Sequence, residues 1–160
     1  MARQGIFRNF DVRTLSTRSA IIFFPKERGA PAEMTSNNAS SRPKPKVLVV
    51  DDERVIADTL AIILNQHGYD ASAVYTGTAA VERARTLRPE LIISDVIMPD
   101  MNGIEAAIHI RRFLPGCKIL LFSGQAATAD LLESARAQGH EFEILAKPVH
   151  PQDLLAKLRS

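Results

Sequence analysis

Val47-Leu48-Val49-Val50-Asp51-Asp52-Glu53, residues 47–53, is an unbroken apolar run that stops abruptly on acids. Four apolar residues in succession do not alternate, so they describe a strand buried on both faces, as in parallel sheets, with the acids at its carboxyl end. Two later segments repeat the pattern: Leu91-Ile92-Ile93-Ser94-Asp95 and Ile119-Leu120-Leu121-Phe122-Ser123-Gly124. Met98-Pro99-Asp100-Met101-Asn102-Gly103 and Ala146-Lys147-Pro148 add two polar, turn-rich segments. Strands are expected at 46–50, 69–75, 91–94, 118–122 and 143–146, and helices at 55–67, 78–87, 104–113, 129–138 and 151–158. In the first helix Val55, Ile56, Leu60, Ile63 and Leu64 are spaced for one apolar face, and Gly68 stops it. Thr78 is the expected N-cap of the second helix. Strict alternation of strand and helix requires right-handed crossovers between parallel strands. The fold class is therefore α/β, a doubly wound sheet with helices on both faces.

Parallel strands bring Asp51, Asp52, Asp95, Ser123 and Lys147 to one rim of the sheet, where open α/β sheets bind ligands. Three carboxylates held together repel, and at least one is harder to ionise unless a cation intervenes. A divalent ion is implied. Ligands that are all oxygen, with neither His nor Cys among them, favour magnesium or manganese over zinc. Lys147 supplies a fixed positive charge and Ser123 a hydroxyl donor, so the rim suits an anion arriving at a carboxylate, as a transferred phosphoryl group does. Plainer readings exist for each residue. Asp51 or Asp52 could cap the helix that follows, but this leaves Asp95 and Lys147 unexplained. Ser123-Gly124 alone is an ordinary turn, and only its position after the fourth strand gives it a role.

The chain of 160 residues is 46% apolar and 24% charged, the size and composition of one globular domain with its own core. Its net charge of +2 averages two unlike parts. Residues 1–45 hold eight Lys and Arg against three Asp and Glu, whereas residues 46–160 hold twelve against fifteen. Residues 1–45 are expected to form a disordered basic N-terminal tail, with Met34 as an alternative start that would leave 1–33 untranslated. Its basic residues form no block and few aromatics interleave them, so nucleic-acid binding is not expected. No apolar run approaches the ~20 residues of a membrane span, and Ile21-Ile22-Phe23-Phe24 is too short for a signal peptide. A single cysteine, Cys117, cannot form an internal disulfide and is expected to be a small apolar filler beside a strand. The protein is expected to be soluble and cytoplasmic. His67, His109, His140 and His150 show no ligand spacing and read as surface residues.

Residues 46–160 resemble the receiver domain of bacterial two-component response regulators. The acidic pair, the strand-three Asp, the Met-Pro-Asp-Met-Asn-Gly loop, the Ser-Gly step and the Lys-Pro step occur in that family's order. The resemblance implies a flavodoxin-like five-stranded sheet of order 2-1-3-4-5 with five helices. It implies that Asp95 is the phosphoacceptor, taking a phosphoryl group from a histidine kinase or phosphotransfer protein in a magnesium-dependent reaction. Asp51, Asp52, Asp95 and the backbone carbonyl of Ile97 match the metal ligands, Lys147 the partner of the phosphoryl oxygens, and Ser123 a donor that turns towards them. Pro148 matches a proline preceded by a cis peptide bond, and Asn102-Gly103 a turn that starts helix three.

The family pattern is broken at Ile144, where receivers usually carry a Tyr or Phe that rotates inward during the switch. One extra residue before Lys147 leaves Phe142 as a candidate substitute, so the face of helix four, strand five and helix five is where this chain is expected to differ. With no helix-turn-helix, zinc motif or enzyme domain after Ser160, a stand-alone receiver is expected, acting on a downstream protein partner, without direct DNA or membrane binding, and with a homodimer on activation left open. It is not expected to be an enzyme beyond taking up its own phosphoryl group and slowly losing it. Two other classes of function use an aspartate or this fold. A phosphohydrolase of the haloacid-dehalogenase kind needs an acid two residues after the nucleophile, where this chain has Ile97. A phosphorylation-independent receiver-fold interaction module is favoured only by Ile144.

Overall fold

A computed structural model describes residues 42–124 and 128–159. Most of the expected basic tail, residues 1–41, lies outside the described residues. Among the described residues ten elements alternate: β1 (Lys46–Val50), α1 (Arg54–Gln66), β2 (Asp70–Val74), α2 (Gly77–Leu87), β3 (Leu91–Asp95), α3 (Gly103–Phe113), β4 (Lys118–Ser123), α4 (Ala129–Ala137), β5 (Glu143–Ala146) and α5 (Pro151–Arg159). All neighbouring strands pair in parallel, in the order β2-β1-β3-β4-β5. This is the expected flavodoxin-like sheet.

Successive residues of a strand point to opposite faces, and the two faces carry separate apolar clusters. Val47, Val49, Ile93 and Leu120 pack on one side with Ile56, Leu60 and Leu64 of α1 and Leu154 of α5. Leu48, Val50, Ile92 and Leu121 pack on the other with Ala80 and Ala84 of α2, Ile104 and Ile110 of α3 and Ala135 of α4. Burial on both faces is why β1, β3 and β4 read as unbroken apolar runs.

Several local expectations are corrected. Val55 does not join the apolar face of α1 but is 56% exposed, and that face is completed by Ala57 and Ala61. The buried arc of α1 runs through Ile56-Ala57, Leu60-Ala61 and Ile63-Leu64, and this rotation of the helix leaves Val55 outside it. Thr78 is not the cap of α2: Thr76 is, its hydroxyl accepting from the Ala79 amide at 3.1 Å. Neither Asp51 nor Asp52 caps α1, whose N-cap is Glu53. Gly68 does end α1, in a left-handed conformation with φ of 92° that disfavours other residues. Among the described residues no helix is long and apolar enough to cross a membrane.

Candidate functional site

Strand register assembles the site. Val50 lies opposite Ser94, so the residues that follow, Asp51 and Asp95, emerge side by side at the carboxyl rim. Asp95 in turn lies opposite Phe122, and Ser123 opposite Ala146, which brings Ser123 and Lys147 to the same rim. Asp51, Asp52 and Asp95 each offer a carboxylate oxygen within 4.8 Å of the others. Lys147 reaches into this cluster. Its Nζ donates to Asp95 Oδ2 at 2.7 Å and lies 3.7 Å from Asp51 Oδ2.

Charge and burial conflict here. Asp51 is 1% exposed, and burial pushes its carboxyl up to about 6, although Lys147 and the Glu53 amide, which donates to Oδ1 at 2.9 Å, oppose the shift. Asp95 and Asp52 add to the rise by repulsion. Burial works against the Lys147 charge as well, but its hydrogen bond to Asp95 and the field of Asp95, Asp51 and Glu53 outweigh it, and its pKa is raised. Asp51 Oδ2 is buried and, among the described residues, accepts no hydrogen bond. A buried carboxylate oxygen without a donor is costly, and a cation bound among these acids would supply the missing partner. An all-oxygen donor set of three carboxylates fits a hard divalent ion.

The loop from β3 to α3 holds the floor of the site. The Ile97 amide donates to Asp95 Oδ1 at 3.3 Å, and the Gly103 amide donates to the Val96 carbonyl at 2.9 Å. Gly103 packs so closely that a Cβ there would overlap the Asp95 carbonyl and come within 2.9 Å of Ser94 Oγ. Asn102 and Gly103 stand at the start of α3, and Asn102 is its N-cap, its side-chain oxygen accepting from the Glu105 amide at 2.8 Å. Asp100 had no assigned role in the sequence. Its carboxylate accepts from the Gly77 amide at 3.2 Å and the Thr78 amide at 3.1 Å, so it straps this loop to the start of α2. The Met101 amide foremost, and then those of Thr78 and Gly77, hold the Asp100 carboxyl well below the usual carboxylate range. No local pattern could have revealed this, since the partners are joined only through the fold.

Ser123 is 3% exposed and its hydroxyl is bonded to that of Thr128, a residue to which no sequence motif points. The Lys147–Pro148 bond is cis, as expected, and the Lys147 amide donates to the Ser123 carbonyl at 2.8 Å. Ile144 sits within β5 opposite Leu121. Phe142 does not replace the missing aromatic: it lies before β5, at the end of the sheet away from Lys147, with the Arg111 guanidinium 4.2 Å over its ring. Cys117 is buried in the apolar cluster under α3, and burial pushes its thiol up to about 11, so it is the inert filler expected. His67, His109 and His150 are exposed and His140 is half-buried against Phe142; none approaches the acids.

Comparison with known proteins bears on this arrangement. The family model of the response regulator receiver domain matches residues 47–159. The DNA-binding response regulator MtrA of Mycobacterium leprae is 31% identical over 115 residues, covering 72% of this chain and 50% of that protein. The chemotaxis protein CheY of Thermotoga maritima is 32% identical over 114 residues, covering 71% of this chain and 93% of that protein. A solved structure of the chemotaxis protein CheY4 of Vibrio cholerae superposes with a TM-score of 0.66 at 30% identity, over 73% of this chain and 98% of that one. The chain spans about half the length of the MtrA proteins it matches.

Proposed function

Because the chain belongs to the response regulator receiver domain family, the signalling modules of two-component systems, we propose that Asp95 is its phosphoacceptor. Receiver domains are phosphorylated by histidine kinases and are not classical enzymes. In this reading an Asp95 carboxylate oxygen attacks the phosphorus of a phosphohistidine. The new P–O bond forms as the P–N bond breaks, and the released imidazole nitrogen takes up a proton. Asp51, Asp52, Asp95 and the Ile97 backbone carbonyl would hold magnesium, which when bound offsets the negative charge of the acids and of the phosphoryl oxygens. Manganese has the same hard-oxygen preference.

The observation that carries the reading is the 2.7 Å contact of Lys147 Nζ with Asp95 Oδ2 inside an otherwise acidic cluster. A cation fixed on the acceptor oxygen before reaction is placed to follow charge onto the phosphoryl group after it. Lys147 therefore pairs with the transferred group, and Ser123 donates to it. Phosphate on Asp95 biases an equilibrium between two surface shapes, and a downstream protein that prefers one of them reads the signal. Residues 46–160 act as the receiver and residues 1–45 as an extension of it, in the cytoplasm.

Incubation of the full chain with a small-molecule phosphodonor and magnesium, read by intact mass beside Asp95→Asn, tests this. A phosphoryl-sized gain that needs magnesium and is lost in the variant is expected. No gain where a control receiver is modified would overturn it in favour of a phosphorylation-independent interaction module.

A further inference from the structure

The hydroxyl of Ser123 is already committed. Thr128 Oγ1 donates to the Gly124 carbonyl at 3.3 Å, and a hydroxyl has a single hydrogen. Thr128 must therefore accept in its bond with Ser123, which spends the only hydrogen Ser123 has. Both side chains are shut away from water, at 3% and 1% exposure, so neither can exchange this partner for solvent freely. Thr128 is also the N-cap residue of α4, yet its side chain makes no capping bond, unlike Thr76 at α2 and Asn102 at α3. A threonine at this position ordinarily accepts from the helix amides. Here its hydroxyl is held by Ser123 and Gly124 instead.

A phosphoryl group on Asp95 presents only acceptor oxygens, so Ser123 can bind it only by withdrawing its hydrogen from Thr128. Thr128 then keeps the pair together by turning its own hydrogen from Gly124 to Ser123 Oγ. The Ser123–Thr128 bond reverses direction, and the Gly124 carbonyl at the approach to α4 loses its donor. Ile144 has no group that could follow Ser123, and Phe142 lies at the other end of β5. We propose that Thr128 is a positioning residue that holds Ser123 in its unmodified arrangement and carries the change in Ser123 to the start of α4. The inference rests on the reading of Asp95 as phosphoacceptor.

The test is binding of beryllofluoride with magnesium, a stable phosphoryl mimic, to the full chain. In the wild type one neutral hydrogen bond, that to Gly124, is given up on binding, whereas Thr128→Val has none to lose. Thr128→Val should bind about fivefold more tightly, the equivalent of one such bond. Thr128→Ser should restore wild-type affinity, which a purely packing role would not predict. In a Ser123→Ala background Thr128→Val should have no effect, because the two act as one unit. Wild-type affinity in Thr128→Val, or an equal effect with and without Ser123, would overturn the proposal. The wild-type chain gives a reading free of any folding defect: amide resonances of Gly124 and Thr128 should move with those of Asp95 and Ile97 as the mimic binds. Movement at Asp95 and Ile97 alone overturns the role of Thr128 but leaves Asp95 as acceptor. No movement anywhere, in wild type and Asp95→Asn alike, removes the phosphoacceptor reading and this inference together.

Discussion

At Asp51 a single residue carries the cost of the site. Its carboxyl is raised from an ordinary 3.8 to about 6, so in the metal-free protein the folded state holds a proton that the unfolded chain releases. The stability this represents is fully present below pH 3.8 and is lost as pH rises through 6. Asp51→Asn, which cannot ionise, should therefore stabilise the metal-free protein at pH 7 by about 1–3 kcal/mol, measured by urea denaturation. Unchanged or lower stability would show that burial does not disfavour this carboxylate. The same residue makes metal binding pH-dependent, because a ligand must be deprotonated. Apparent magnesium affinity should be flat above pH 7 and fall by up to about tenfold per pH unit below 6, as read by calorimetric titration.

The element that matters most is the loop between β3 and α3, because it is fastened at both ends. Gly103 seats the start of α3 against the Asp95 carbonyl, and nothing larger fits. Gly103→Ala should cost about 1–3 kcal/mol, as overpacking does, and lower Tm even with magnesium present. Asp100 fastens the other side through the Gly77 and Thr78 amides. Asp100→Ala should cost about 1 kcal/mol through the loss of its bonds to these two amides. It should also weaken magnesium binding, since Ile97 lies in the same loop; wild-type affinity in the variant would mean that the strap does not reach the site. At this scale the sequence was uneven. The existence and type of every element follow from apolar runs and helical spacing, but the cap of α2 does not, because Thr76 and Thr78 are equally good caps locally and only the position of the β2 end chooses between them.

For the whole molecule, a cation that binds the folded rim and not the unfolded chain would be linked to folding. Magnesium at about 100 times its Kd should stabilise the domain by about 2.7 kcal/mol at pH 7.5, seen as a rise in Tm, and Asp51→Asn should lose most of that rise. A Tm indifferent to magnesium would exclude the acid cluster as its site. Apolar runs and the polar residues that end them suffice for the α/β class, the parallel sheet and the rim shared by Asp51, Asp52, Asp95, Ser123 and Lys147. Each of these depends only on where an apolar strand stops, and in a parallel sheet every strand stops on the same side. Only packing in three dimensions sets that Asp100 ties its loop to the first amides of α2, that Val55 faces outward, that Phe142 is remote from Lys147 and that Ser123 is held by Thr128. Those depend on how each helix is turned about its axis and on which side chains meet across loops, and a hydrogen bond of that kind leaves no periodic trace along the chain.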